Sequence, residues 1–184
     1  MKIFALVSIL VFSTVILSAQ DIPKELDRLE AKIIKLFEEK KYSDAEIEAK
    51  KALKLAEQEY GNNSIDLQNY IQMLDSIYYV QKKYSLAEPL FKKDYEILKE
   101  YLGEDHIETV IAMNNLALLY KEMKKYPEAE ETLLEQLNIV VRDHENSYEH
   151  VVVLQNLIDL YSITGNSQKK KEYEAKLKLV EKEK

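Results

Sequence analysis

With 184 residues and a hydrophobic share of 46%, the chain is long enough to bury one sizeable core. Its formal net charge of -7 excludes a general nucleic-acid binder, which needs a basic face to displace phosphate counterions. The lack of cysteine excludes disulfides, thiolate-bound zinc and a lipoprotein anchor, while only three Gly and three Pro favour long helices over many short strands.

Residues 1–20, MKIFALVSILVFSTVILSAQ, stand apart from everything after them. Lys2 precedes an uncharged apolar run from Ile3 to Leu17, and Ser18-Ala19 places small residues before a cut after Ala19. That layout predicts a signal peptide over 1–19. The alternative is an uncleaved anchor, because the run approaches the shortest length that spans a bilayer. Either way the remainder is expected to be exported, with a bacterial periplasm or secretion favoured. Once the signal is cleaved, no stable membrane insertion is expected.

From residue 22 onward the chain repeats itself. KKYSDAE at 40–46, KKYSLAE at 82–88 and KKYPEAE at 124–130 place Tyr42, Tyr84 and Tyr126 at a stride of 42 residues. Four units are predicted, over about 24–61, 66–103, 108–145 and 150–184. In the third, Met113, Leu116, Ala117 and Tyr120 fall at i, i+3, i+4 and i+7 on one helical face, and Ala129, Leu133 and Leu137 mark a second helix. Ile71, Leu74 and Tyr78 repeat the first face 42 residues earlier, and Leu154, Leu157 and Tyr161 repeat it 41 residues later. The first unit is looser, with Lys32 where a Leu is expected.

Ser43 with Glu46, and Ser85 with Glu88, have the spacing of a capping box that opens the second helix of each unit, as do Asp105 and Glu108 before the third unit. Pro127 suits a first helical position, Pro89 costs a backbone bond, and Gly61 and Gly103 read as helix-ending residues. Ala45, Ala87 and Ala129 are small enough for paired helices to approach to about 8–10 Å. A lone hairpin cannot bury its apolar face, so a repeat of this length predicts stacked units, each serving as the next one's core.

Met113-x-x-Leu116-Ala117-x-x-Tyr120 followed by Ala129-x-x-x-Leu133 resembles the tetratricopeptide repeat, and Ala87-x-x-x-Phe91 matches its second half. The 42-residue stride, with YLGEDHIETVIAMNNLALLY and AEPLF, resembles the longer repeats of kinesin light chains and their bacterial relatives. The resemblance implies an all-α fold, a right-handed α-solenoid of antiparallel helix hairpins. Lys32, Asp75 and Ile158 depart from the pattern. The tail, 169–184, mixes seven Lys with four Glu around a stripe of Tyr173, Leu177 and Val180, and reads as a capping helix.

No nucleophile–base arrangement, phosphate loop or common metal-ligand spacing accompanies the three His; His144 and His150 are six residues apart. No enzyme activity, cofactor or metal is expected. The first-helix face away from the core instead carries amides. By the resemblance, Asn69, Gln72, Tyr79, Asn114, Asn115, Lys121, Gln155 and Asn156 would line a peptide-binding groove. Amides donate and accept, so they can pair with a peptide backbone of any sequence. Lys121 stands nearly alone there, which argues against a clamp for a C-terminal carboxylate. The expected function is an exported, non-catalytic protein- or peptide-binding module, monomeric when free and without a nucleic-acid partner. The alternative is a structural component that self-associates through the solenoid ends.

Overall fold

A computed structural model of the chain describes residues 21–143 and 147–182. The signal peptide expected over 1–19 and His144 lie outside the described residues. Within them the chain forms α1 (Ile22–Glu38), α2 (Tyr42–Tyr60), α3 (Gln68–Val80), α4 (Tyr84–Leu102), α5 (Ile107–Glu122), α6 (Tyr126–Asp143), α7 (Tyr148–Ile163) and α8 (Ser167–Lys182), with a single 3-10 turn at Ile65–Leu67 and no strand. Odd and even helices pair as hairpins, and each hairpin packs on the next through α2 with α3, α4 with α5 and α6 with α7. The architecture is an all-α solenoid.

The hairpin turns show what the repeated lysines do. Lys40, Lys82 and Lys124 have φ of 58°, 58° and 59°, and Gly165 takes the same place in the fourth hairpin with φ 75°. The next residues, Lys41, Lys83, Lys125 and Asn166, donate their N–H back to Leu36, Tyr78, Tyr120 and Tyr161 at 2.8 or 2.9 Å. This is a Schellman closure, in which a left-handed residue lets the chain reverse and satisfies carbonyls that the helix end leaves open. Glycine is the residue that adopts this conformation without strain, and three of the four turns use lysine instead.

The capping boxes are corrected. Lys41 and Lys83 are the N-caps of α2 and α4, and neither helix start has a side-chain cap. Ser43 and Ser85 fall one residue inside the helix because the turn is too tight to leave them outside it. Before α5 the cap is His106 rather than Asp105, its Nδ1 accepting from the Glu108 N–H at 3.3 Å. Gly61 and Gly103 do end α2 and α4, with φ of 86° and 96°.

The Glu that recurs in each motif has another partner. Glu46 accepts from Lys83 Nζ at 2.6 Å and Glu88 from Lys125 Nζ at 2.7 Å, each across a unit boundary. Glu130 pairs with Lys169, which reaches from the first turn of α8 because Asn166 stands where the other units have lysine. The aromatic end of each first helix completes the junction. Lys50 lies 5.6 Å from the Tyr78 ring centroid, Lys92 5.7 Å from Tyr120 and Lys169 5.1 Å from Tyr161, within cation–π range. The motif Lys and Glu therefore recur because they tie each unit to its neighbour, over a tyrosine from the first helix of the next unit.

Ala45, Ala87 and Ala129 are buried in the hairpin crossings, and Ala117 is buried opposite. Tyr42 packs edge-on against Phe37 at 5.3 Å, while Tyr84 leans on Tyr79 at 5.6 Å and donates its hydroxyl to Glu122 of the following unit at 3.2 Å. Lys32 stays at the surface, paired with Glu48 at 2.6 Å. In α8, Tyr173 stacks on Tyr161 at 5.5 Å and Val180 is buried, so the charged tail covers α7 with one apolar stripe.

Candidate functional site

First helices meet unevenly along the solenoid. α1 touches α3 and α5 touches α7, whereas α3 and α5 make no comparable contact. Between them lies a cavity of about 490 Å³, within the size range of ligand pockets. Phe37 of α1, Tyr79 and Val80 of α3, Phe91 of α4, and Ile111 and Leu118 of α5 wall it, and Gln72, Ser76 and Asn115 add polar atoms. Its rim residues Gln72, Ser76 and Ile111 are exposed, and Phe91 is buried at its deep side. A smaller cavity of about 240 Å³ adjoins it, sharing Gln72, Asp94, Ile111 and Asn115 and adding Glu108.

Two buried carboxyls also line the larger cavity. Asp75 is 3% exposed and Asp94 4%. Asp75 stands at the place of Ala117 in the next unit, where a small residue permits close packing. The Ser76 hydroxyl lies 3.2 Å from its Oδ1. Asp94 Oδ2 accepts from Gln72 Nε2 at 3.1 Å, while Oδ1 has no hydrogen-bond partner among the described residues. Burial, with the charge of neighbouring Asp94 adding and hydrogen bonds from Ser76 opposing, pushes the Asp75 carboxyl up to about 8. Burial likewise raises Asp94 to about 6, with the Gln72 hydrogen bond opposing and the charge of Glu108 adding to the shift. Among the described residues no Lys, Arg or His lines either cavity.

The eight sequence-proposed groove residues fall in three groups. Gln72, Tyr79 and Asn115 line the large cavity, and Asn69 lines a neighbouring hollow with Phe37, Gln72 and Ser76. Asn114 and Asn156 bond each other, Asn156 Nδ2 donating to Asn114 Oδ1 at 2.7 Å. That pair joins α5 to α7 and occupies capacity that a peptide backbone would otherwise use. Gln155 turns along its own helix to Asp159 at 3.3 Å, and neither Gln155 nor Lys121 lines the cavity. Sequence reasoning passed over Asp94, Phe37 and Ile111. Asp94 carried a legible signal, a charged residue at the register of buried Ala52 and Gln136. Among the described residues no three His, Cys, Asp or Glu are grouped to hold a metal, and no helix is long and apolar enough to cross a membrane.

Residues 76–140 match the tetratricopeptide repeat family. Among solved structures, the fold is similar to that of BtubC (BKLC) from P. vanneervenii, with a TM-score of 0.71 at 19% identity over 89% of this chain. This chain spans 65% of the length of that one. It is also similar to the nearly identical TPR-like repeats of a kinesin-light-chain-type protein from Podosopora anserina, with a TM-score of 0.57 at 12% identity, covering 86% of this chain and 96% of that one. A single-substitution variant of the same repeats gives 0.55 at 11% identity, covering 86% and 95%. No curated protein matches the sequence.

Proposed function

We propose that this chain, a tetratricopeptide-type solenoid carrying the family's repeats in residues 76–140, is a non-catalytic scaffold that holds an extended segment of a protein partner along its first-helix face. The observation that carries the reading is the open, aromatic-walled cavity between α3 and α5, with the amides of Gln72 and Asn115 beside it. An apolar hollow with a few convergent polar groups is the usual form of a small binding site, and repeat solenoids present such surfaces along their length. Export is part of the proposal, and the layout of residues 1–20 supports it. Sequencing the N-terminus of periplasmic or secreted material should find a start near Gln20, and a start at Met1 would sink cleavage.

A photo-crosslinking residue at Asn69, on the rim, should capture one partner reproducibly from the native envelope, while the same probe at exposed Tyr101 on α4 should not. Against that partner, Asn115→Ala should weaken binding by about 0.5–1.5 kcal/mol, the net value of a neutral hydrogen bond. Equal capture at both positions, or unchanged affinity with a normal fold, would remove the groove. Asn156→Ala should instead act through the released Asn114.

A further inference from the structure

We propose that the cavity between α3 and α5 receives an arginine side chain of the bound segment, its guanidinium held by Asp94 and Asp75. The inference rests on the peptide-binding reading above and names the chemistry of what binds.

Several independent features converge. Asp94 is 4% exposed, lines both adjoining cavities, and has an oxygen without a hydrogen-bond partner among the described residues. A buried acceptor left unsatisfied is costly and uncommon; Oδ1 itself is sealed from the cavity surface, and a turn of the carboxyl about its Cβ–Cγ bond would bring it to a donor arriving with a ligand. Asp75 breaks the repeat pattern where the next unit has Ala117, and it lines the cavity between α3 and α5. A buried charge at a position that the repeat keeps small is a local inconsistency of the kind found at functional or strained sites. The surrounding charge has one sign: Asp75 on α3, Asp94 on α4 and Glu108 on α5, with no basic residue among the described ones lining either cavity.

The walls favour arginine over other cations. Phe37, Tyr79 and Phe91 make the wall aromatic, a surface suited to a planar guanidinium and its aliphatic stem. Five N–H donors in a rigid fork can serve two carboxylates at once, which a point-like ammonium does less well. Without the ligand, burial holds Asp75 protonated near neutral pH. Guanidinium binding favours the ionised pair, so binding should release a proton and tighten as pH rises from about 5 to about 8, with Glu108 the remaining acid facing the site.

The test uses acetylated, amidated Ala-Ala-Arg-Ala-Ala and versions with citrulline, lysine or glutamate at the centre, titrated into the ¹⁵N-labelled protein. The arginine peptide should shift the side-chain amides of Gln72 and Asn115 and bind about tenfold or more tightly than the citrulline peptide. Lysine should fall between them. Calorimetry in two buffers of different ionisation enthalpy should show proton release with the arginine peptide and none with the citrulline peptide. Asp94→Asn, an isosteric change, should abolish the preference for arginine over citrulline. Equal binding of arginine, citrulline and glutamate peptides overturns the arginine site and leaves the groove standing. No shift of any groove amide with any peptide overturns both. The comparison among peptides on the unaltered protein decides the matter even if the variant misfolds.

Discussion

Glu88 on α4 accepts from Lys125 Nζ at 2.7 Å, joining the second unit to the turn of the third. The same carboxylate also holds Lys92 at 2.8 Å, and Lys92 and Lys125 both lie over the Tyr120 ring, 5.7 and 5.8 Å from its centroid. One acid therefore gathers two cations over the aromatic residue near the end of the next first helix. The hydrogen bond from Lys125, and then that from Lys92, holds the Glu88 carboxyl below the usual carboxylate range.

Breaking this junction should be mild, because the Lys125 side chain is 36% exposed and solvent screens the pair. Glu88→Ala should cost about 0.5–1 kcal/mol in a urea titration, less at high salt. A double-mutant cycle with Lys125→Ala should give a coupling of about 0.3–0.5 kcal/mol. Additive single changes would mean that the contact contributes nothing.

The buried carboxyls predict an inverted pH dependence of stability. Asp75 and Asp94 both bind protons more tightly in the fold than in the unfolded chain. The stability contributed by their protonated forms is complete below about pH 4, the ordinary Asp range, and is lost as pH rises through about 6 for Asp94 and about 8 for Asp75. Paired acids such as Glu88 behave oppositely but titrate below this window. Between about pH 5 and pH 8 the melting midpoint should therefore fall. Asp75→Asn should flatten that fall and stabilise the protein at about pH 8 by about 1–3 kcal/mol, the order of the desolvation penalty that the buried carboxylate otherwise carries. Parallel curves for the two proteins would show that Asp75 ionises without cost.

The left-handed lysines predict a gain. Lys82, with φ 58°, is exposed, and its conformation costs a residue with a Cβ about 1–2 kcal/mol that glycine avoids. Part of this is offset by the larger entropy that glycine loses on folding. Lys82→Gly should raise stability by about 0.5–1 kcal/mol, and Lys124→Gly should do likewise. Gly165 fills the same place in the fourth hairpin. A lower melting midpoint in both variants would indicate that the lysine side chains matter to the turn more than the backbone does.

The 42-residue stride, the i, i+3, i+4, i+7 faces and the small Ala of each crossing determined the helices and their pairing by sequence alone. These signals were legible because a hairpin's partners lie close along the chain and repeat with it. The role of the motif was misread because Ser-x-x-Glu names a local partner, whereas Glu46, Glu88 and Glu130 answer to lysines 37 or 39 residues away. The amides were legible as a face, yet only the tertiary structure decided that Asn114 and Asn156 satisfy each other while Gln72 and Asn115 border a cavity. The same holds for the carboxyls: a sequence shows Asp75 and Asp94 nineteen positions apart, and folding decides that both are buried at one gap between α3 and α5. Periodicity encodes which side of a helix is covered. The separation of neighbouring helices, and hence where a cavity and its uncompensated charge arise, depends on side chains meeting from three or more segments at once.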